Sequence, residues 1–345
     1  MAKRIIVSGA GGSAGTNFIQ SLRLAPEKIY IVGTDSSKYY AKLSQADKTY
    51  VLPHCDHPNY LHDLNEIIKN EGIDFIHPQP DPEVKFISDN RSVILARTFL
   101  PDKRTIDIAQ DKFLFNELME EYQVPCPFTE QVIDENNLRL VFNYHGEKMW
   151  IRASRGAGSL AALPITDPDQ AVMWIKYWKT KGLDWADFII SEFLPGKEYA
   201  FQSVWKDGEL ITSAARQRLE YLFQARMPSG QSSTPTIAKS VHNDKVNEVA
   251  TKAVKALDKN ATGVFCVDLK EDKDGVPNVM ECNCGRFFTT SLFFSTAGSN
   301  MPYTYLCLGM GESIPEQKKY NAVPKDWVWV RQIDCQQQLV KEEDL

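Results

Sequence analysis

The chain has 345 residues, of which 43% are hydrophobic and 24% are charged, a composition typical of globular proteins. Its length exceeds what a single hydrophobic core usually organises, so two or three compact units are expected. Because 45 acidic residues outnumber 39 basic ones and leave a net charge of -6, the composition argues against nucleic acid as a partner.

The cysteines and the lengths of the apolar runs indicate in which cellular compartment the protein is expected. The seven cysteines are an odd number scattered between Cys55 and Cys335, which fits a reducing compartment better than a disulfide framework. No run approaches the roughly 18 to 20 apolar residues that a membrane-spanning helix needs. We therefore expect a cytoplasmic protein with no membrane partner.

The first hundred residues alternate between strand-like and helix-like segments. Strand signals are short apolar runs rich in β-branched residues, and helix signals are apolar residues spaced three and four apart. Alternation of this kind predicts an open parallel α/β sheet. The predicted strands are residues 4–8, 30–34 and 74–77, and the predicted helices are residues 16–24 and 60–70.

A glycine-rich turn, GAGGSAG, runs from Gly9 to Gly15 between the first strand and the first helix. Its backbone N–H groups can approach an anion at the helix N-terminus, with Asp35 holding a ribose, as in dinucleotide-binding domains. The alternative, favoured by the loose glycine spacing, is a tight turn that fixes packing. An NAD(P)-dependent oxidoreductase or epimerase would also need a Tyr-x-x-x-Lys pair. The pair present, Tyr177 and Lys181, lies in an aromatic-rich helix where packing is the favoured interpretation.

The segment PQPDPE contains two acidic residues, Asp81 and Glu83. The favoured interpretation is that Asp81 caps a helix whose first residue is Pro82. Contact of Asp81 and Glu83 with a nucleophilic substrate is the alternative.

A long helical pattern starts at Thr105 and stops at Pro125, with Lys112 near its start. The apolar residues expected on its buried stripe are Phe113, Leu114, Leu118 and Met119.

A strand followed by a glycine loop comes next. Arg152 shares a strand face with Trp150, and the loop SRGAGS then runs from Ser154 through Gly156 and Gly158. Such a loop can fold its backbone N–H groups over phosphates, and the alternative is an ordinary glycine turn. A helix over residues 170–181 and a buried strand over residues 188–192 follow.

Two arginines, Arg216 and Arg218, are two residues apart in a strand-like run and therefore lie on one face. They can clamp a carboxylate or a phosphate, and the alternative is that they are exposed strand arginines beside Glu220. Residues 224–238 are rich in Ser, Gly and Pro and predict a mobile loop near the substrate.

Residues 263–286 are the most informative stretch of the chain. If Asp274 and Gly275 close a two-residue hairpin, Asp268 pairs directly with Glu281, and Asn283 shares their face. Paired carboxylates repel each other unless a cation lies between them, and three such oxygen ligands suit magnesium with bound phosphates. The alternative is a solvated acidic hairpin. The residues that argue against it, because they are expected to face the core, are Phe265, Val267, Leu269 and Met280.

In this order the motifs resemble those of the ATP-grasp superfamily, and in particular the synthetase units of the carbamoyl phosphate synthase large subunit. The likeness covers roughly residues 1–312. It implies an N-terminal open parallel α/β (pre-ATP-grasp) domain followed by a two-lobed ATP-grasp fold, a mixture of α/β and α+β. The motifs that carry it are Lys112, Arg152 with its glycine loop, residues 192–194 (EFL), residues 196–199 (GKEY), Asp268, Glu281 with Asn283, and Arg286.

The resemblance implies ATP and Mg²⁺ as cofactors, with Mn²⁺ as a substitute, and it assigns a role to each motif. Asp268, Glu281 and Asn283 would bind the metal. Arg286 would stabilise the transferring phosphoryl group or the acyl phosphate. Arg216 and Arg218, whose clamp is inferred above from their spacing and not from the resemblance, are predicted to be catalytic with it. The residues implied to hold ATP are Lys112, Arg152, Ser154, Gly156, Gly158 and Ser159 at the phosphates, Glu192, Phe193 and Leu194 at the adenine, and Glu198 at the ribose.

Two departures limit the analogy. The family commonly has Glu-x-Asn-x-Arg, whereas one extra residue separates Asn283 from Arg286 here, so the reach of Arg286 is left open. A single ATP unit without a glutamine-hydrolysing partner makes carbamoyl phosphate synthesis unexpected, and arginine at position 152 argues against a biotin carboxylase.

We therefore expect an ATP-dependent ligase that joins a small carboxylate to an amine or another nitrogen nucleophile through an acyl phosphate. The alternatives are the NAD(P)-dependent enzyme built on the turn at Gly9 and a non-catalytic ATP-binding regulator. Relatives with this architecture are often dimers, but the sequence leaves the oligomeric state open between a monomer and a homodimer. The expected divisions are residues 1–106 for the pre-ATP-grasp domain, 107–191 for the linker helix and lid lobe, 192–312 for the metal-bearing lobe and 313–345 for a tail that packs on the body.

Overall fold

The computed structural model of the protein describes residues 2–146, 148–156, 158–232, 234–332, 338–341 and 343. Within these ranges no helix combines the length and the apolar character that crossing a membrane requires. The six cysteines in the described part of the chain are not in disulfides, and Cys335 lies outside the described residues.

The N-terminal domain contains four strands and three helices. They are β1 (Lys3–Ser8), α1 (Ser13–Arg23), β2 (Ile29–Asp35), β3 (Lys48–Val51), α2 (Tyr60–Glu71), β4 (Phe75–His77) and α3 (Asp81–Asp89). The strands form a parallel sheet in the order β3-β2-β1-β4, which confirms the predicted open parallel sheet. Strand β3 was not predicted, because its side chains are exposed or half-buried and give little apolar signal.

Two helices, α4 (Lys103–Ala109) and α5 (Lys112–Glu121), lead out of this domain. The single long helix predicted here is wrong because α4 ends at Ala109, with Gln110 as its C-cap, and Asp111 caps a second helix. Its carboxylate accepts the backbone N–H of Phe113 at 3.1 Å, which caps α5 and makes Lys112 the first helical residue. Leu114, expected on the buried stripe, is 43% exposed.

A small antiparallel sheet covered by two helices follows. Its elements are β5 (Thr129–Gln131), α6 (Glu135–His145), β6 (Met149–Ala153), β7 (Leu163–Ile165), α7 (Pro168–Lys179) and β8 (Phe188–Glu192). The strand order is β5-β8-β6-β7, and Ile151, Ile175 and Ile190 are fully buried in its core. Strands β6 and β8 confirm the two strands predicted in this region.

A large antiparallel sheet forms the rest of the chain. Its elements are β9 (Glu198–Lys206), β10 (Glu209–Tyr221), β11 (Pro235–Val241), α8 (Asp244–Leu257), β12 (Gly263–Glu271), β13 (Pro277–Cys284), α9 (Ser291–Thr296), α10 (Met301–Met310), β14 (Trp327–Val330) and β15 (Gln338–Lys341). The strand order is β13-β12-β9-β10-β11-β14-β15, so the two tail strands extend the same sheet.

The N-terminal domain and the large sheet share one hydrophobic core. The Phe18 ring of α1 stacks on His77 with centroids 3.9 Å apart, and Phe287 and Tyr305 pack around the same ring. This packing brings the carboxyl ends of β1 and β4 close to the end of β13. The division of the chain into four parts stays our proposal, which the three separate sheets support.

Candidate active site

Two rows of directly paired residues cross the large sheet and bring predicted site residues onto one face. Because directly paired residues share a face, the side chains within each row point to the same side of the sheet. Asn283, two residues beyond Glu281 on β13, lies on that side as well. From β13 to β10 the first row is Glu281, Asp268, Ala200 and Arg216, and from β12 to β10 the second row is Lys270, Glu198 and Arg218.

The two-residue turn predicted between β12 and β13 is wrong. The last pair of the ladder is Glu271 with Pro277, so residues 272–276 form a five-residue connection. The Asp272 carboxylate organises this connection by accepting the backbone N–H of Val276 at 2.9 Å. By itself the longer connection would shift the register by one residue from the predicted one.

A β-bulge restores the predicted pairing. The register shifts between Leu269 and Asp268 and leaves Met280 unpaired, so that Asp268 pairs with Glu281. Met280, expected to face the core, is instead half-buried, and its carbonyl accepts a hydrogen bond from Arg152 at 2.9 Å. The prediction that Asp268 lies opposite Glu281 is confirmed, by a route that the sequence reasoning did not foresee.

Both carboxylates of this pair have cationic partners. Arg218 donates to Asp268 Oδ1 at 2.6 Å, and Arg152 donates to Glu281 Oε2 at 3.3 Å. Lys112 Nζ lies 4.0 Å from the same Glu281 oxygen. These three cations offset the repulsion between the two carboxylates.

Burial and these partners shift the two carboxyl pKa values in opposite directions. Burial raises the pKa of Asp268 above its usual range, against the opposing effect of Arg218. Burial also acts to raise the pKa of Glu281, but Lys112 and Arg152 together outweigh it and hold that pKa well below its usual range. Glu281 is therefore ionised at neutral pH.

The start of α5 holds the glycine loop beside the carboxylate pair. Lys112 Nζ donates to the Gly156 carbonyl at 2.7 Å, and the Lys112 backbone N–H donates to the Ser154 carbonyl at 3.0 Å. Gly156 and Gly158 have φ values of +98° and +72°, which glycine adopts without strain. Gly156, Gly158 and Ser159 line the central cavity, whereas Ser154 is buried beneath it.

Glu198 lies at the centre of a polar cluster. Its carboxylate accepts hydrogen bonds from Lys270 at 2.6 Å, from Gln231 at 2.5 Å and from the Tyr221 hydroxyl. Burial acts to raise the pKa of Glu198, but Lys270 outweighs it and lowers the pKa. Sequence reasoning missed these three partners, although strand periodicity from Asp268 places Lys270 on the same face.

Glu192 ends β8, and residues 192–194 line one wall of the cavity. The Glu192 backbone N–H donates to the Phe128 carbonyl at 2.9 Å, while its side chain is exposed. Lys148 Nζ lies 3.7 Å from the centroid of the Phe193 ring, and Leu194 is only 3% exposed. The three residues together present an aromatic and an apolar surface to the cavity.

Arg286 reaches Asn283 despite the extra residue between them. The Arg286 Nη2 atom donates to Asn283 Oδ1 at 2.6 Å. The residue before it, Gly285, has a φ of +80°, a left-handed conformation that turns the chain back toward the site. A Cβ at Gly285 would lie 2.7 Å from Val84 Cγ1, so only glycine fits this turn.

The prediction that Asp81 caps a helix is wrong. Helix α3 starts at Asp81 itself, and its cap position is Pro80, which offers no side-chain acceptor. The Asp81 carboxylate instead accepts two hydrogen bonds from Arg286, from Nε and from Nη2, the second at 3.0 Å. Glu83, two residues further along α3, lines the cavity and accepts a hydrogen bond from the Tyr60 hydroxyl at 2.7 Å.

Arg216 and Arg218 share a face as predicted but have different surroundings. Arg216 is 1% exposed, and its guanidinium lies 4.7 Å from the centroid of the Phe288 ring. Its Nε and Nη1 atoms have no hydrogen-bond partner among the described residues, and burial lowers the pKa of Arg216 to about 9. Phe288 and Arg218 line the cavity and Arg216 does not, so direct contact with a substrate is available to Arg218 alone of this pair.

These residues surround one cavity of about 980 Å³ between the N-terminal domain and the two antiparallel sheets. That volume is at the upper end for one small ligand, which leaves room for a nucleotide and a second substrate. The N-terminal domain contributes the turn at Gly9, Asp35 and Glu83, and none of its described lysines or arginines. The lysines and arginines that line the cavity are Lys112, Arg152, Arg155, Arg218, Lys270 and Arg286.

The turn at Gly9 lies in this cavity without the partners that a nicotinamide enzyme would need. Asp35 Oδ2 accepts the Gly11 backbone N–H at 3.2 Å, so this carboxylate fastens the turn. Tyr177 is 51% exposed on α7, and neither Tyr177 nor Lys181 lines the cavity. The geometry thus separates the turn from the proposed Tyr-Lys pair.

The donor set formed by Asp268, Glu281 and Asn283 fits a magnesium ion. The Asn283 amide nitrogen lies 3.4 Å from Asp268 Oδ2 and 3.5 Å from Glu281 Oε1, so a polar donor already stands between the carboxylates. Rotation of this amide would present its oxygen to the same position and would release the hydrogen bond that this oxygen accepts from Arg286. Two carboxylates and an amide oxygen are hard ligands of the kind that Mg²⁺ prefers.

Comparison with protein families gives two matches. The ATP-grasp domain model matches residues 109–290, and the PylC-like N-terminal domain model matches residues 5–98. Phosphoribosylamine–glycine ligase of Vibrio vulnificus is 24% identical over 199 residues, which cover 54% of this chain and 46% of that protein. The arginine-specific large chain of carbamoyl phosphate synthase from Neurospora crassa is 22% identical over 318 residues, which cover 90% of this chain and 26% of that protein.

The chain thus spans about half the length, or less, of these two curated relatives. Among solved structures, the biotin carboxylase domain of Hydrogenobacter thermophilus 2-oxoglutarate carboxylase superposes with a TM-score of 0.72 at 15% identity. That match covers 95% of this chain and 74% of the other, and the structure contains MgADP and bicarbonate. A structural match at 15% sequence identity shows that the two proteins share a fold.

Proposed function

Because this chain belongs to the ATP-grasp family, we propose that it is an ATP-dependent ligase that joins a carboxylate to a nitrogen nucleophile through an acyl phosphate. One observation carries the proposal. Asp268, Glu281 and Asn283 converge on one face of the large sheet and adjoin Arg152 and Arg218 at the wall of a single large cavity.

The cationic end of the cavity suits the triphosphate of ATP. Lys112 and Arg152 would neutralise phosphate oxygens, and the loop with Gly156 and Gly158 would close over them. Residues 192–194 would contact the adenine, and Glu198 would accept the ribose hydroxyls. Magnesium held by the carboxylates would supply positive charge to the phosphate oxygens.

The proposed reaction has two steps. A substrate carboxylate oxygen attacks the γ-phosphorus, the bond from that phosphorus to the bridging oxygen breaks, and ADP leaves. Arg286, and Arg218 beside it, would stabilise the charge on the transferring group, so catalysis is mainly positioning and neutralisation. The nitrogen nucleophile then attacks the acyl carbon, phosphate departs, and the nitrogen loses a proton.

The opposite end of the cavity supports a nitrogen substrate that enters as a protonated amine, which must give up one proton before its nitrogen attacks. The N-terminal domain supplies Asp35 and Glu83 to the lining and no described lysine or arginine, so its electrostatic potential favours a cation over a phosphate. Burial raises the pKa of Glu83, and a neighbouring ammonium group would lower that pKa again.

The test is a screen of small carboxylates with Mg-ATP and hydroxylamine, which converts any acyl phosphate into a hydroxamate that is detected as its coloured iron(III) complex. We expect ADP release and hydroxamate to appear together with one class of carboxylate. ATP binding without ADP release under any carboxylate would instead support a non-catalytic regulator. A change in nicotinamide fluorescence on adding protein would support the oxidoreductase alternative.

A further inference from the structure

The N-terminal domain touches the proposed phosphoryl-transfer site at one ion pair. Asp81, the first residue of α3, binds the Arg286 guanidinium through two hydrogen bonds, and both side chains line the central cavity. The side chains of Arg286 and Asp81 are 14% and 27% exposed, so the contact is largely shielded from water.

We propose that Asp81 is a positioning residue that fixes Arg286 for phosphoryl transfer, so that the N-terminal domain completes the site on the large sheet. This inference rests on the proposed function. A guanidinium held by a carboxylate through two parallel hydrogen bonds has its plane and direction fixed, which a single contact does not achieve. The third contact of Arg286, to Asn283, then points the group toward the carboxylate pair.

The backbone contacts agree with this role. Gly285, directly before Arg286, packs against Val84, which follows Asp81 by three residues on α3. One helix therefore locates both the backbone and the side chain of Arg286.

The test compares two defined probes on the full chain, Mg-ADP alone and Mg-ADP with aluminium fluoride, which mimics the transferring phosphoryl group. In Asp81→Asn we expect the affinity for Mg-ADP with aluminium fluoride to fall about 10- to 100-fold, the range for loss of a charged hydrogen bond. The affinity for Mg-ADP alone should change less than about twofold, because Arg286 acts on the transferring group. Asp81→Glu should recover part of the loss.

Two controls separate positioning from general stability. Asp107→Asn breaks the ion pair that joins α4 to Lys85 at 2.5 Å, away from the cavity, and should change neither affinity. In the Arg286→Gln background, Asp81→Asn should have no further effect on either probe. The proposal would be overturned by equal losses of affinity for both probes in Asp81→Asn, by no loss for either probe, or by additive effects in the double variant. If the unaltered chain bound neither probe, the proposed function itself would fail, which is a different result.

Discussion

Replacing Glu281 by glutamine removes one charge from the proposed metal site and keeps the shape of the side chain. Lys112 and Arg152 hold the pKa of Glu281 well below its usual range, so the substitution removes a full negative charge at neutral pH. We expect the unaltered chain to melt at a higher temperature with Mg-ATP than with ATP and a chelator. In Glu281→Gln this difference should nearly disappear.

The size of the effect follows from ligand linkage. With Mg-ATP at 100 times its dissociation constant, the unaltered chain gains about 2.7 kcal/mol, or roughly 4 °C for a protein of this size. Loss of a charged ligand weakens binding by up to about 100-fold, which leaves about 0.4 kcal/mol and a shift of about 1 °C. Differential scanning fluorimetry resolves this difference.

A matched control is Glu71→Gln. Glu71 is also an ion-paired carboxylate with a lowered pKa, through hydrogen bonds from Lys48 and Tyr50, but it lies outside the cavity. This variant should melt lower than the unaltered chain and keep the full Mg-ATP shift. A full shift in Glu281→Gln, or an equal loss in the control, would refute the reasoning.

Three further predictions concern other groups. Glu198→Gln should raise the dissociation constant of Mg-ATP about tenfold and leave that of tripolyphosphate unchanged in calorimetry, because only the ribose contact and its hydrogen bonds are altered. In Arg216→Met the urea midpoint of unfolding should stay equal or rise. The substitution puts an apolar chain of similar length in place of a buried guanidinium, two of whose nitrogens have no hydrogen-bond partner among the described residues. A loss of unfolding free energy above about 1 kcal/mol would contradict this prediction. Burial lowers the pKa of His77 to about 4, below its unfolded value of 6.5. Because the unfolded chain binds this proton first, the free energy of unfolding should decrease as the pH falls from 6.5 to 4. His77→Gln should lack that part of the acid sensitivity, up to about 3 kcal/mol in urea titrations, and an unchanged pH slope would count against it.

The predicted pairing of Asp268 with Glu281 is correct because two errors cancel. The turn is longer than predicted, and a β-bulge that was not predicted restores the register. Local turn preference favours Asp274 and Gly275, but Asp272 organises a longer connection, and Pro277 starts the next strand. The β-bulge that corrects the register involves the Met280 carbonyl and Arg152, which is more than a hundred residues away. Such long-range contacts leave no signal in local periodicity.

The same difference between local patterns and long-range contacts decided which other features could be predicted from the sequence. Regular elements at residues 4–8, 30–34 and 188–192 could be predicted because their apolar pattern is local. The role of Asp81 could not, because a capping position and a cross-domain ion pair have the same local sequence, and only the approach of Arg286 distinguishes them. Likewise, nothing local shows that Phe288 covers Arg216 while Arg218 faces the cavity.

The most direct test of the account follows the carboxylate oxygens through the reaction. The carboxylate identified by the hydroxamate screen is labelled with oxygen-18 and converted with its nitrogen nucleophile under Mg-ATP, and the released phosphate is analysed by phosphorus NMR. Activation through an acyl phosphate predicts one labelled oxygen in each phosphate released. Unlabelled phosphate, with the displaced labelled oxygen found in AMP or in water instead, would contradict the proposed chemistry.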